Sequence, residues 1–285
     1  MNVASRSSIR CLMKIFRRHY AFNSGDAKRN IRDWPPLDFN EPPKPRPATP
    51  LKVLPTVGPE DQFYKSLQDP DYFRVTNLFT VRQLLEARVH LGHKVGTLND
   101  KMKPYLFGER LGVCVFDLDK TAVHLQAALN FVAHMAYRCA IVVFFGGDSW
   151  NIHLIEQTAK EIGEYSHCRR FVPGTLVDSK LMFGSVIRYP DLGIFCTTME
   201  SVFERHKAII ELNDLCIPTV GVVDSNCDPD TLTYPIPGND DSPTAVRLYL
   251  QLFKEAIRRG KEKAKIDFPD AVAVEKRRQR GEKLI

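Results

Sequence analysis

The sequence predicts an α/β domain in which a parallel sheet is covered by helices on both faces. Three observations carry that prediction. Residues 140–145 (AIVVFF), 192–197 (LGIFCT) and Thr219–Val223 (TVGVV) are apolar runs too short for a buried helix, and they lack the alternation of a half-exposed strand. Segments of helical period lie between and after them. Finally, 285 residues that are 44% hydrophobic and 10% aromatic can bury a full core, which fits one domain with extensions.

The chain opens with MNVASRSSIRCLMKIFRRHY, which holds five Arg or Lys and no acid, and would place Ile9, Leu12, Met13 and Phe16 on one side of a helix. This is the composition of a mitochondrial transit peptide (residues 1–20); a secretory signal would carry a longer unbroken apolar core. Arg18 stands where a matrix-processing arginine would leave Ala21 as the new N-terminus. Residues 21–78 read as an extended arm, because nine of the 25 residues in 35–59 are proline and cannot build a core. The folded domain is expected at 79–260 and a charged tail at 261–285, prolonging the last helix before it frays.

Within the domain, Thr80 is placed to cap a helix over 81–90. Short strands are expected at 106–109 and 113–118. Asp119 then caps a helix over 120–138 with Val123, Ala127, Phe131, His134 and Met135 facing inward. The strand at 140–145 precedes a helix at 150–163, a strand at 169–172, the strand at 192–197 and a helix at 200–215 carrying Val202, Phe203, Ile209 and Ile210. After Thr219–Val223 comes a long polar loop. Its return Tyr234-Pro235-Ile236 cannot be a central strand, since Pro235 and Pro237 donate no ladder bond. Ser242 and Pro243 suit the cap and first position of the last helix, and Val246, Tyr249, Leu250, Phe253 and Ile257 form its apolar stripe.

Charge and cysteine usage narrow the function classes. The net charge is +6, but the leader and the stretch from Lys254 onward each carry +5, which leaves the body between them four charges negative. The body is therefore no general polyanion binder. Seven cysteines without a C-x-x-C pair read as reduced core thiols rather than disulfides or a zinc knot. No apolar run approaches the roughly 20 residues of a membrane helix.

Motifs that resemble chemistry weaken on inspection. Asp224-x-Asn226-x-Asp228 matches the first three ligands of a calcium loop, but Pro229 stands where that loop needs glycine and Pro235 where it needs its closing glutamate. Asp224, Asn226, Asp228, Gly238, Asn239, Asp240 and Ser242 are instead expected to hold a long loop in one shape. Gly146-Gly147 follows a strand and precedes a helix, yet lacks a Walker lysine, and Asp148 would repel phosphate. His90-x-x-His93 would share one helical face, with no third ligand near in sequence. His93 and Lys94 are expected to close that helix and reach outward. Lys101, Lys103 and Arg110 flank them as candidates for contacts to an RNA backbone, joined by Lys276, Arg277, Arg278 and Arg280 in the tail. The sequence nominates no catalytic group, cofactor or metal.

The residues do carry a resemblance. GVVDSNCDPD (221–230) with YPIPGNDDS (234–242), LLEARVHLGH (84–93), NDKMKPYLFGER (99–110) and DLDKT (117–121) occur in the order found in the ribosomal protein S2 family, and the chain resembles its bacterial and organellar branch from about 79 to 260. The resemblance implies a Rossmann/flavodoxin-like three-layer fold and a structural place in the small ribosomal subunit of mitochondria. There the protein would touch small-subunit rRNA and neighbouring ribosomal proteins, serve subunit assembly and translation, bind no membrane or small-molecule substrate, and perform no catalysis. Bacterial relatives insert a coiled-coil hairpin after the region matching Arg170-Phe171-Val172-Pro173-Gly174. Here fewer than 20 residues lead from there to Leu192, so that hairpin is expected to be missing. The rival is a soluble mitochondrial nucleotide- or metabolite-binding α/β enzyme using the loops around Gly146 and Asp224.

Overall fold

The structure is a computed structural model that describes residues 66–147, 150–184, 187–201 and 204–268. The expected transit peptide, residues 21–65 of the expected arm and the Lys276, Arg277, Arg278 and Arg280 cluster lie outside these residues, as do Asp148, Val202 and Phe203; the arm's remaining 66–78 pack on the domain, with Phe73 and Val75 buried in its core.

Helix α1 (Val81–Glu86) starts at Thr80 with a capping box: the Thr80 hydroxyl accepts from the Gln83 amide at 3.4 Å, and the Gln83 side chain accepts from the Thr80 amide at 3.0 Å. The helix ends four residues before the expected 90. Arg88 turns left-handed at φ 62°, and the Val89 amide reaches back to the Leu84 carbonyl. That termination frees strand β1 (Leu91–Lys94), absent from the sequence prediction. Thus His90 and His93 do not share a helical face, and His93 and Lys94 do not close a helix. Strands β2 (Leu106–Arg110) and β3 (Val113–Phe116) form a hairpin across Leu111 and Gly112, both at positive φ as a tight hairpin turn needs. Together the three make an antiparallel sheet ordered β1-β3-β2.

Helix α2 (Leu118–Tyr137) is capped by Asp117 rather than Asp119, its carboxylate accepting from the Asp119 amide at 3.2 Å. Its inner stripe is Leu125, Ala128, Leu129, Val132, Ala133 and Ala136. The expected stripe is rotated off the core: Val123 is 67% exposed, Ala127 is exposed, and Phe131, His134 and Met135 are half-buried. Both stripes have helical spacing. The observed one places small alanines where the long last helix packs, and close approach decides between them.

Strands β4 (Val142–Phe145), β5 (Tyr165–His167), β6 (Leu192–Phe195), β7 (Thr219–Val223) and β8 (Tyr234–Pro237) build one parallel sheet in the order β5-β4-β6-β7-β8. Counted along the chain this is 2-1-3-4-5, the flavodoxin-like order. The expected α/β fold is present, with Pro235 and Pro237 on the edge strand where missing donors cost nothing. Residues 169–172 are not a strand. The edge position went to the polar Tyr165-Ser166-His167, whose hydrophobic pattern carries no strand signal because only one side of it is paired.

Helices α3 (Ile152–Ile162), α4 (Ser179–Phe183), α5 (Lys207–Asp214) and α6 (Pro243–Asp267) complete the fold. Helix α5 begins only after His206, seven residues later than expected, because Met199 and Arg205 pair as an antiparallel bridge ahead of it. Ile210, placed inward by the sequence, is 52% exposed. Alternate strand residues serve two cores. Val142, Phe144, Leu192, Ile194, Val220, Val222 and Ile236 face α2, α3 and α6, whose Val246, Tyr249, Leu250, Phe253 and Ile257 are buried as expected. Phe145, Phe195 and Val223 face α5 and the loop holding Phe171 and Leu176. Between β5 and β6 the described residues hold turns and the five-residue α4, and no coiled-coil hairpin.

Candidate functional site

In an open parallel sheet, ligands gather at the C-terminal edge of the strands. Here the edge beyond β7 is covered by the segment running from α1 into β1. Asn239 joins the two. Its amide donates to the Val89 carbonyl at 3.1 Å and its side-chain NH2 to the Arg88 carbonyl at 3.1 Å. Its side-chain oxygen accepts from the Asp241 and Ser242 amides at 3.0 and 3.1 Å. It thereby holds the turn that leads into α6, where Ser242 occupies the cap position but its hydroxyl contacts Thr244. Ser225, wholly buried, accepts from the His93 amide at 2.9 Å and offers its carbonyl to the Asn99 amide at 2.9 Å. Ser225 was not singled out by the sequence. A hydroxyl directly after an all-buried strand was the available signal.

Gly238 sits at this junction for room rather than for a special backbone angle. A Cβ there would lie 2.2 Å from the Tyr249 hydroxyl and 3.0 Å from a Val89 methyl.

His93 brings the charge. Its Nδ1 lies 3.1 Å from an Asp224 carboxylate oxygen and its Nε2 3.3 Å from one of Asp241. The Asp224 contact holds the imidazole above its ordinary pKa, with Asp241 adding to it and burial opposing. Asp240, 6% exposed, stands beside them. Residues more than 130 positions apart in sequence thus meet in one cluster.

The basic candidates divide. Lys101 is consumed inside the fold: its ammonium is 3.0 Å from Asp228 and 2.8 Å from Asp230, and these two carboxylates raise its pKa. Arg205 shares Asp228 at 2.9 Å, so Asp228 is an internal anchor rather than part of a cation loop with Asp224. Asn226 is likewise turned away, accepting from the Cys227 thiol. Lys103 pairs with Asp100 at 2.7 Å on the surface. Lys94 and Arg110 are exposed and make no ion pair among the described residues, and the same holds for Arg169 and Arg170 after β5.

The glycine pair beyond β4 has a packing explanation. A Cβ at Gly146 would lie 2.5 Å from the Ile155 methyl of α3, and the Gly147 amide points to the Thr197 hydroxyl at 3.4 Å. Glu211 on α5 is a second residue that the sequence did not single out. Buried, it accepts from the Gly174 amide, from Leu176 at 2.8 Å and from Val177 at 3.4 Å, and so pins the loop that occupies the place of the hairpin.

Comparison with known proteins bears on all of this. The chain matches the family described as Ribosomal protein S2 over residues 84–194 and 190–260. It is 52% identical over 197 residues to the small ribosomal subunit protein uS2m of Bos taurus, covering 69% of this chain and 67% of the bovine one. It is 35% identical over 216 residues to small ribosomal subunit protein uS2 of Sinorhizobium medicae, covering 62% of this chain and 85% of the bacterial one. The figure for that of Rhizobium leguminosarum is 33%. Since 62% of 285 residues is about 177, about 39 of the 216 aligned positions face no residue of this chain. The family match is itself broken near 190–194, at the end of the stretch between β5 and β6 that holds no hairpin. The chain belongs to the ribosomal protein S2 family, a family of ribosomal proteins rather than enzymes.

Proposed function

We propose that this chain is a structural constituent of the small subunit of the mitochondrial ribosome, where it contacts small-subunit rRNA and neighbouring ribosomal proteins and serves subunit assembly and translation in the matrix. The observation that carries the reading is the 52% identity to bovine uS2m, maintained over 197 residues. The basic, acid-free first 20 residues agree with it as a transit peptide.

The contacts follow from what the fold leaves free. Lys94, Arg110, Arg169 and Arg170 make no ion pair among the described residues and are available for phosphate. Lys101 is not, and Lys103 would first have to leave Asp100. Four or so phosphate contacts on a body four charges negative make attachment shallow in salt, at about 0.7–0.9 logarithmic units per contact. Protein contacts through the proline-rich arm supply the remainder. The rival enzyme reading loses its phosphate loop to Ile155 and Thr197.

Sedimentation of the tagged protein from lysed mitochondria tests the proposal. Comigration with the small subunit that survives moderate salt is expected. A pool confined to the soluble fractions would overturn it.

A further inference from the structure

The cluster under the α1–β1 segment is built as a cation site. His93, Asp224, Asp240 and Asp241 each present one ligand atom, and these four atoms lie within 4.8 Å of one another. Donors held tetrahedrally at about 2.0–2.2 Å from a divalent ion stand about 3.3–3.6 Å apart. Closing the cluster to that spacing takes a shift of about an ångström, within the rotamer freedom of Asp241, whose side chain is 72% exposed.

Two observations besides the acidic cluster itself point to a ligand. The first is Tyr249. It is 1% exposed, its hydroxyl has no hydrogen-bond partner, and it lies in the field of Asp224 and Asp240. A buried tyrosine hydroxyl ordinarily finds a partner. A water carried on an ion held by those carboxylates would supply the missing partner. The second is the pair His93 Nδ1 and Asp224 Oδ2. They are 3.1 Å apart, yet the ring N–H does not run along the contact and neither atom makes a hydrogen bond. Asp224 is 1% exposed, and its ion partner is a single imidazole shared with Asp241. The Ser225 amide bonds its Oδ1, so the buried carboxylate is compensated on that oxygen and not on Oδ2. An ion drawing both Nδ1 and Oδ2 toward itself would satisfy each.

The cluster does not serve the contacts already proposed, because three carboxylates repel phosphate. We propose that His93, Asp224, Asp240 and Asp241 form a structural site for a divalent transition-metal ion, with zinc fitting best. The donor set selects the class. An imidazole nitrogen with carboxylate oxygens suits zinc, whereas magnesium and calcium prefer oxygen alone. Four protein ligands leave no open position for a substrate, so the role is to fasten β1 to the loop after β7 and to the start of α6. Tyr249 would orient the ligands from behind.

The test uses the purified full-length chain, stripped with chelator and titrated calorimetrically with zinc chloride and, in parallel, magnesium chloride. One equivalent of zinc is expected, bound at least tenfold more tightly than magnesium and raising the melting temperature. Asp241→Asn should weaken zinc at least tenfold while the metal-free protein melts as wild type does, since Asp241 is exposed. His93→Gln should act in the same direction. Cobalt should give a spectrum without a thiolate charge-transfer band, which separates this site from the cysteines. The inference is overturned by no stoichiometric uptake, by magnesium binding as tightly, or by zinc uptake that both variants leave unchanged. Each of these results is independent of whether the chain sediments with ribosomes.

Discussion

The junction beyond β7 and the β2–β3 hairpin are joined through β1, which pairs with β3, and they use polar residues in opposite ways. At the junction Asn239, Ser225, Asp224 and Asp240 are all under 8% exposed, and Asn239 and Ser225 bond to backbone groups more than 130 residues away in sequence. On the hairpin Phe107 is 82% exposed, Leu111 96%, and Arg110 beside them makes no ion pair among the described residues. The sequence motifs are dense in both places. In the first the chain spends its side chains on itself; in the second it leaves them for something else.

The sharpest break of that contrast is at Gly238. Gly238→Val drives a branched side chain into the Tyr249 hydroxyl and Val89, and is expected to cost about 4 kcal/mol or more, enough to unfold a marginally stable domain. Adding Tyr249→Phe to Gly238→Ala removes the atom at 2.2 Å and should recover part of the loss. Thermal melting of the set checks it. If Gly238→Val melts like wild type, the junction is not the tightly closed region described.

Next in size is a pH effect in the core under α5, where His206 packs against Phe145, Phe171 and Phe195, which asks whether burial alone commits a residue to the fold. His206 caps α5 by accepting from the Ala208 amide, is 2% exposed, and is held by burial at a pKa of about 4. The unfolded chain titrates near 6.5. The unfolded state therefore takes up the proton first, so stability is complete above about pH 6.5 and falls as pH drops through that value toward 4. The loss levels off below, at a total on the order of 3 kcal/mol. Burial lowers His90, His124, His134 and His167 in the same direction, so the readout is the difference from His206→Asn. That variant caps without titrating and should flatten the slope between pH 6.5 and 4. An unchanged slope would remove His206 as its source.

Asn239→Ala comes third. It strips two acceptor bonds from the start of α6 and one donor bond to Arg88, at about 1–2 kcal/mol. A loss in melting temperature with no change at the hairpin, followed by amide exchange of Leu111 and Val113, would show that the two regions are energetically separate.

Particular residues show why some of this was legible and some was not. The sheet was legible because Val142–Phe145, Leu192–Phe195 and Thr219–Val223 carry a local signal, apolar on every residue. The last helix was legible through its stripe and Pro243. Strand β1 was not: LGHK has no strand pattern, and it exists because Arg88 breaks the helix and β3 supplies an edge. The inner face of α2 could not be chosen from spacing, since two stripes of equal period compete and α6 selects one. The site was least legible of all. Lys101 and Arg110 look alike in sequence, and only the return of Asp228 and Asp230 from more than 120 residues away tells them apart.

That pair yields the smallest effect and the finest comparison. Lys101→Ala removes an internal anchor, so it should lower the melting temperature slightly and leave Asp228 to Arg205 alone, while attachment to the small subunit keeps its salt dependence. Arg110→Ala breaks nothing within the fold and should melt as wild type does. If Arg110 neutralises a phosphate, its loss should lower the salt slope of release by about 0.7–0.9, one contact's worth. A salt-wash series on purified small subunits carrying each variant separates the two. Should Lys101→Ala shift the slope and Arg110→Ala leave it alone, then Lys101 leaves its aspartates on binding and the division between self-directed and outward-directed charge fails.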